Sequence, residues 1–81
     1  MRMSKEETFK MLSDAIVSCK KDAVEAAVQK AKNEGIAPAE IIEKGLAAGM
    51  NTVGIMFERG KLFLPHVMMA AGAMEAGVKI L

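Results

Sequence analysis

The chain has 81 residues, a formal net charge of +1, no tryptophan or tyrosine, eight methionines and one cysteine. Balanced charge leaves neither the basic footprint of a nucleic-acid binder nor a polybasic membrane patch. One cysteine excludes an internal disulfide framework and fits a reducing cytoplasm, and a chain of this size buries roughly 60% of its extended surface, enough for one small core.

Met1–Lys10 is polar and carries no signal-peptide pattern. The spacing predicts a first helix over about residues 5–19, with Ser4 and Glu7 at capping-box spacing and an apolar stripe of Phe9, Leu12, Ile16 and Cys19. Lys20 and Lys21 suit the negative end of its dipole. A second helix, about 23–34, opens with Asp22 and Glu25 at the same capping spacing. It buries Val24, Ala27, Val28 and Ala31 and stops at Gly35. The third, about 38–58, begins at Pro38 and carries Ile42, Leu46, Met50, Val53 and Phe57. The fourth starts at Pro65 and carries Val67, Ala71, Met74, Val78 and Leu81 in steps of four and three. No segment shows the period-two alternation of a half-buried strand. Short loops make successive helices antiparallel, so the expected fold is all-α, an antiparallel up-down four-helix bundle.

Gly45, Gly49 and Gly54 lie inside the third helix, where each costs about 1 kcal/mol relative to alanine. Such a set implies close backbone approach, answered by Ala70, Ala71, Gly72, Ala73 and Ala76 of helix four, or a shallow surface for a broad ligand. Helix four is apolar nearly all round, broken mainly by His66, Glu75 and Lys79, so no transmembrane span is expected. A helix of this kind is buried on more than one side. The second side calls for a partner domain, a ligand, or a second copy meeting residues 65–81. Met68, Met69 and Met74 make that surface deformable. The apolar ending at Ile80-Leu81 has no stop signal, which suggests a domain of a longer polypeptide.

The corner between helices three and four is the most informative stretch. Connectors normally run over the surface and are polar, yet Phe57, Phe63 and Leu64 are concentrated here. Gly49-Met50-Asn51, Val53-Gly54, Phe57, Gly60, Phe63-Leu64-Pro65, Val67-Met68 and Ala70-Ala71 together resemble the helical cap module of cobalamin-binding (corrinoid) methyl-carrier proteins. These include the methylamine and methanol methyltransferase systems and the cobalamin module of methionine synthase. The resemblance spans essentially the whole chain, from the Glu6–Leu12 opening to the Ala70–Met74 helix, and is most specific over Gly45–Met74, so residues 1–81 are expected to form a single cap domain. The run Phe63-Leu64-Pro65-His66 looks more like the methyltransferase corrinoid proteins than methionine synthase.

The resemblance implies a non-catalytic cap that precedes an α/β domain, the latter gripping the corrinoid and supplying a histidine to cobalt from an Asp-x-His-x-x-Gly motif. The cap then covers the methyl-bearing face, with Phe57 over it, Leu64 and Val67 beside it, and Met50, Asn51 and His66 as further cofactor-facing candidates. His66 is the one histidine and does not match that motif, so no metal ligand is expected here and cobalamin binding by this chain alone should be weak or absent. A substrate-specific methyltransferase is the implied partner. Cys19 has no cluster of His, Cys or acidic residues around it in sequence and reads as a small apolar residue. No set of nucleophile, base and orienting partner can be drawn. Two further readings stay open: an interaction bundle that dimerises through helix four, and the cap of a cobalamin-dependent regulator, which would need a DNA-binding segment upstream.

Overall fold

A computed structural model describes residues 5–81. It contains four helices: α1 Lys5–Val17, α2 Lys21–Asn33, α3 over residues 38–58, and α4 Leu64–Ile80. No strand occurs among the described residues, and none of their helices is long and apolar enough to cross a membrane. The Ser4–Glu7 capping pair cannot be placed because Ser4 lies outside the described residues.

α1 stops two residues before its expected end because Cys19 adopts a left-handed φ of 62°. Its N–H donates to the Ile16 carbonyl at 3.0 Å, closing the last turn. Lys20 then occupies the N-cap position of α2, with no side-chain cap. Asp22 therefore sits inside the first turn rather than before it, and the expected Asp22–Glu25 capping box does not form. The carboxylate still lies at the positive end of the dipole.

The apolar face of α2 is the expected one: Val24, Ala27, Val28 and Ala31 are all buried. Gly35 ends the helix with φ +80°. Its N–H reaches the Lys32 carbonyl at 3.0 Å and the Ile36 N–H reaches Ala31 at 3.2 Å, the paired bonds of a Schellman turn.

α3 begins at Pro38 as expected but is not uniform. An α turn, Pro38–Glu40, leads into a π-helical stretch, Ile41–Leu46, before α geometry resumes over Ala47–Glu58. The Ala47 N–H donates five residues back, to Ile42. In a regular α-helix, residues four apart drift about 40° around the axis per step. The wider π turn offsets that drift, and Ile41, Gly45, Gly49 and Val53 are all buried.

Gly45 and Gly49 face α1. A β-carbon at Gly45 would lie 2.6 Å from Leu12 Cδ1, and one at Gly49 would lie 2.7 Å from Ile16 Cβ. The expectation that α4 answers these glycines is thus corrected: the small face of α4, Ala70, Ala73 and Gly77, is buried separately. There a β-carbon on Gly77 would lie 2.9 Å from Val24 Cγ1 of α2.

Successive helices run antiparallel, as an up-down bundle requires. The α1–α2 and α3–α4 hairpins pack so that like-directed helices are neighbours, α1 beside α3 and α2 beside α4. Leu12 meets Gly45 and Ile16 meets Gly49 along one pair. Cys19 reaches His66 and Lys32 reaches Ile80 along the other. The core between them holds Leu12, Ile16, Val24, Val28, Ile41, Leu46 and Val53 at 0% exposure, each side chain contributing about 1.5–3 kcal/mol by leaving water. Thr8 is equally buried and donates its hydroxyl to Glu34 Oε1 at 2.7 Å, joining α1 to the end of α2.

Candidate functional site

The corner between α3 and α4 is built by two caps. α3 ends in a second Schellman turn at Gly60, φ +74°, with Gly60 N–H to Phe57 O at 3.0 Å and Lys61 N–H to Met56 O at 2.8 Å. Leu62 is half-buried against the core. Phe63 then caps α4 in extended geometry. Its carbonyl accepts from the N–H of His66 at 2.9 Å and of Val67 at 3.3 Å, while its own N–H donates to His66 Nδ1 at 3.4 Å. The two rings stand 6.3 Å apart. His66 thus does the reciprocal work of a capping-box side chain three residues after the cap. The helix consequently starts at Leu64, one residue before Pro65. The Cys19 thiol, 3.2 Å from the His66 carbonyl, ties this first turn to the α1–α2 corner.

Large apolar side chains stay in solvent around this corner. Phe57 is 44% exposed, Leu64 57% and Phe63 69%, with Met68 and Met69 also open. A monomer this small rarely leaves so much apolar surface grouped at one place without a use for it.

Helical spacing assigns these residues to faces. Leu46 Cδ1 lies beside Gly77 of α4, so Met50, one turn further along α3, continues the flank turned to α4. Gly54 and Phe57 follow at steps of four and three. On α4, Leu64, Val67, Ala71, Met74 and Val78 form one stripe. The expected stripe of Val67, Ala71, Met74, Val78 and Leu81 is not the buried face: Ala71 and Val78 are exposed, and Val67, Met74 and Leu81 are half-buried at the edge of the core. Packing decides it, because Ala70, Ala73 and Gly77 allow closer helix contact than the larger residues would. The other flank of α4, with Gly72, Ala76 and Ile80, lines a polar groove against Lys21 and Glu25 of α2. Met50 and Val67, half-buried against the core, and Phe57 and Leu64, exposed, therefore line the α3–α4 seam together.

Asn51 and His66 do not join that set. Asn51 is exposed and sits about 100° around α3 from Met50, on its outer flank. His66 is exposed, with its imidazole engaged by the Phe63 N–H. Sequence reasoning missed this role, although Phe63 and His66 stand at the cap-to-third-residue spacing that signals it. It also left Met68 out of the candidate set, one turn beyond Leu64. Among the described residues no group of three or more His, Cys, Asp and Glu is placed to hold a metal ion.

The bundle thus keeps several large apolar side chains exposed together at one helix-to-helix corner. The chain belongs to the B12 binding domain family, which it matches over residues 8–81. It is 74% identical over 78 residues to dimethylamine corrinoid protein 1 of Methanosarcina mazei, covering 96% of this chain and 36% of that protein. Trimethylamine corrinoid protein 1 of Methanosarcina acetivorans is 45% identical over the same share of each. Among solved structures, the Methanosarcina barkeri monomethylamine corrinoid protein superposes with a TM-score of 0.92 at 36% identity, covering 96% of this chain and 37% of that one. The methanol:cobalamin methyltransferase complex MtaBC of the same species gives 0.85 at 34% identity, covering 94% and 30%. The chain thus spans little more than a third of the length of these curated relatives.

Proposed function

We propose that this chain is the helical cap of a corrinoid protein that carries methyl groups between methyltransferases. Its role there is to shield the methyl-bearing face of the cofactor. The observation that carries this reading is the exposed pair Phe57 and Leu64, flanked by the half-buried Val67 and Met50, along the α3–α4 seam of a B12 binding domain. The chemistry fits a corrin, whose flat macrocycle offers a broad apolar face and needs no charged partner from this side. When bound, the corrinoid supplies the site that accepts and donates the methyl group.

The chain's own residues enclose. Phe57 covers the face, Leu64 and Val67 close its side, and Met50 fills the seam with an adaptable side chain. Asn51 and His66 stand at the rim, His66 holding the first turn of α4 in place. Excluding water and oxygen from a reactive centre is a recognised task of closed sites, and a lid of this kind moves aside when a partner enzyme needs the reacting face. The cap performs no bond-making step itself, and the cobalt ligand comes from a neighbouring α/β domain of the whole protein. The methylamine corrinoid relatives favour a substrate-specific methyltransferase as the partner.

Phe57→Ala in the full-length protein loaded with methylcobalamin tests this reading. Photolysis and oxidation of the bound cofactor should accelerate; unchanged rates would sink the lid role. The open apolar seam also supports a second reading, self-association through α4, which sedimentation across a concentration series decides.

A further inference from the structure

Seven glycines occur in the chain, and five have a structural explanation. Gly35 and Gly60 adopt the positive φ of their turns. Gly45, Gly49 and Gly77 lie so close to a neighbouring helix that a β-carbon would come within 3 Å of it. Gly54 and Gly72 meet neither condition: φ is ordinary and nothing lies within 4 Å of an added β-carbon. Both sit inside helices, which glycine weakens relative to alanine. The bundle alone would be better served by alanine at each.

Their surroundings differ. Gly72 borders the polar groove of Lys21, Glu25, Glu75 and Lys79, an ordinary solvated surface. Gly54 is half-buried and stands one turn beyond Met50 and one turn before Phe57, on the open side of the seam. There the missing side chain leaves bare backbone between two large apolar residues.

We infer that Gly54 is a corrin-contact position, its absent side chain letting the flat apolar macrocycle approach the backbone of α3 between Met50 and Phe57. The inference rests on the cap reading and adds a residue to it. A methyl group at position 54 holds the ring away from the helix, so the cover supplied by Phe57 closes incompletely. Gly54 thereby sets how near the lid comes, as glycine does wherever a ligand must approach a backbone closely.

The test uses the full-length protein with Gly54→Ala, Gly72→Ala and Phe57→Ala, each with and without methylcobalamin. Without cofactor, Gly54→Ala and Gly72→Ala should both raise the unfolding midpoint of the helical domain by a few degrees. With cofactor, Gly54→Ala should speed photolysis roughly threefold or more, and the larger Gly54→Leu more again, while Gly72→Ala stays at the wild-type rate. Faster photolysis in Phe57→Ala with no change in either Gly54 variant would overturn the inference and leave the cap standing. Wild-type rates in all four variants would overturn the cap reading itself, and the inference with it.

Discussion

At Gly49 an added methyl group would meet the Ser13 carbonyl oxygen at 2.9 Å as well as Ile16. Backbone cannot swing aside as a side chain can, so Gly49→Ala should cost about 1–3 kcal/mol by overpacking. At Gly77 the nearest atoms all belong to side chains of Val24, Val28 and Leu46, so Gly77→Ala should cost less. Gly35→Ala meets no atom at all, yet φ is +80°, and the left-handed backbone alone should cost roughly 1–2 kcal/mol. Denaturant midpoints of the three variants check this. A Gly77 variant less stable than the Gly49 variant would contradict the packing described. Spacing marks Gly35 as a helix stop but reads Gly49 and Gly77 alike, as glycines within helical sequence. Only the neighbours separate a close contact from an open surface.

α2 and α4 show why helices differ in how far sequence determines their faces. Apart from Ala26, the exposed positions of α2 are polar, so its buried four are legible from spacing. α4 is apolar nearly all round, which leaves its periodicity flat, and residue size then selects the inner face. Ala70, Ala73 and Gly77 win the core, and the stripe from Val67 to Val78 lies beside it, half-buried to exposed. The π stretch of α3 has no comparable sequence signal, since Ile41–Leu46 would serve an α-helix equally well; it lies where α3 packs against α1. At the start of α4, the Phe63–His66 pairing yields a prediction of its own. His66→Ala should cost about 0.5–1 kcal/mol by removing the acceptor for the Phe63 N–H. His66→Gln, whose side chain can accept the same bond, should recover most of it. Thermal melts of both variants decide this, and equal losses would show that the bond does not matter.

The molecule as a whole divides into a hairpin that supplies foundation and a hairpin that supplies surface. α1 and α2 carry the densest set of fully buried side chains, while Phe57, Leu64 and Met68 leave the outer seam of α3 and α4 apolar. The isolated 81-residue chain should therefore associate as its concentration rises, and Leu64→Ser with Met68→Ser should abolish that association without unfolding the bundle. Light scattering would show it, and a wild-type chain that stays monomeric at millimolar concentration would count against an uncovered seam. The four helices and the Phe57–Val67 corner were readable from residue spacing and family resemblance. The exposure of that corner was not, because residue spacing does not say which apolar residues a bundle leaves in solvent.

The central claim, that the α3–α4 seam covers the cobalt, can be read from the methionines. Met50 lies on the seam, whereas Met11 lines the groove between α1 and α2 on the far side of the bundle. In full-length protein carrying methyl-labelled methionine, paramagnetic cob(II)alamin should broaden the Met50 methyl resonance and leave that of Met11 sharp. A broadened Met11 beside an unaffected Met50 would contradict the account.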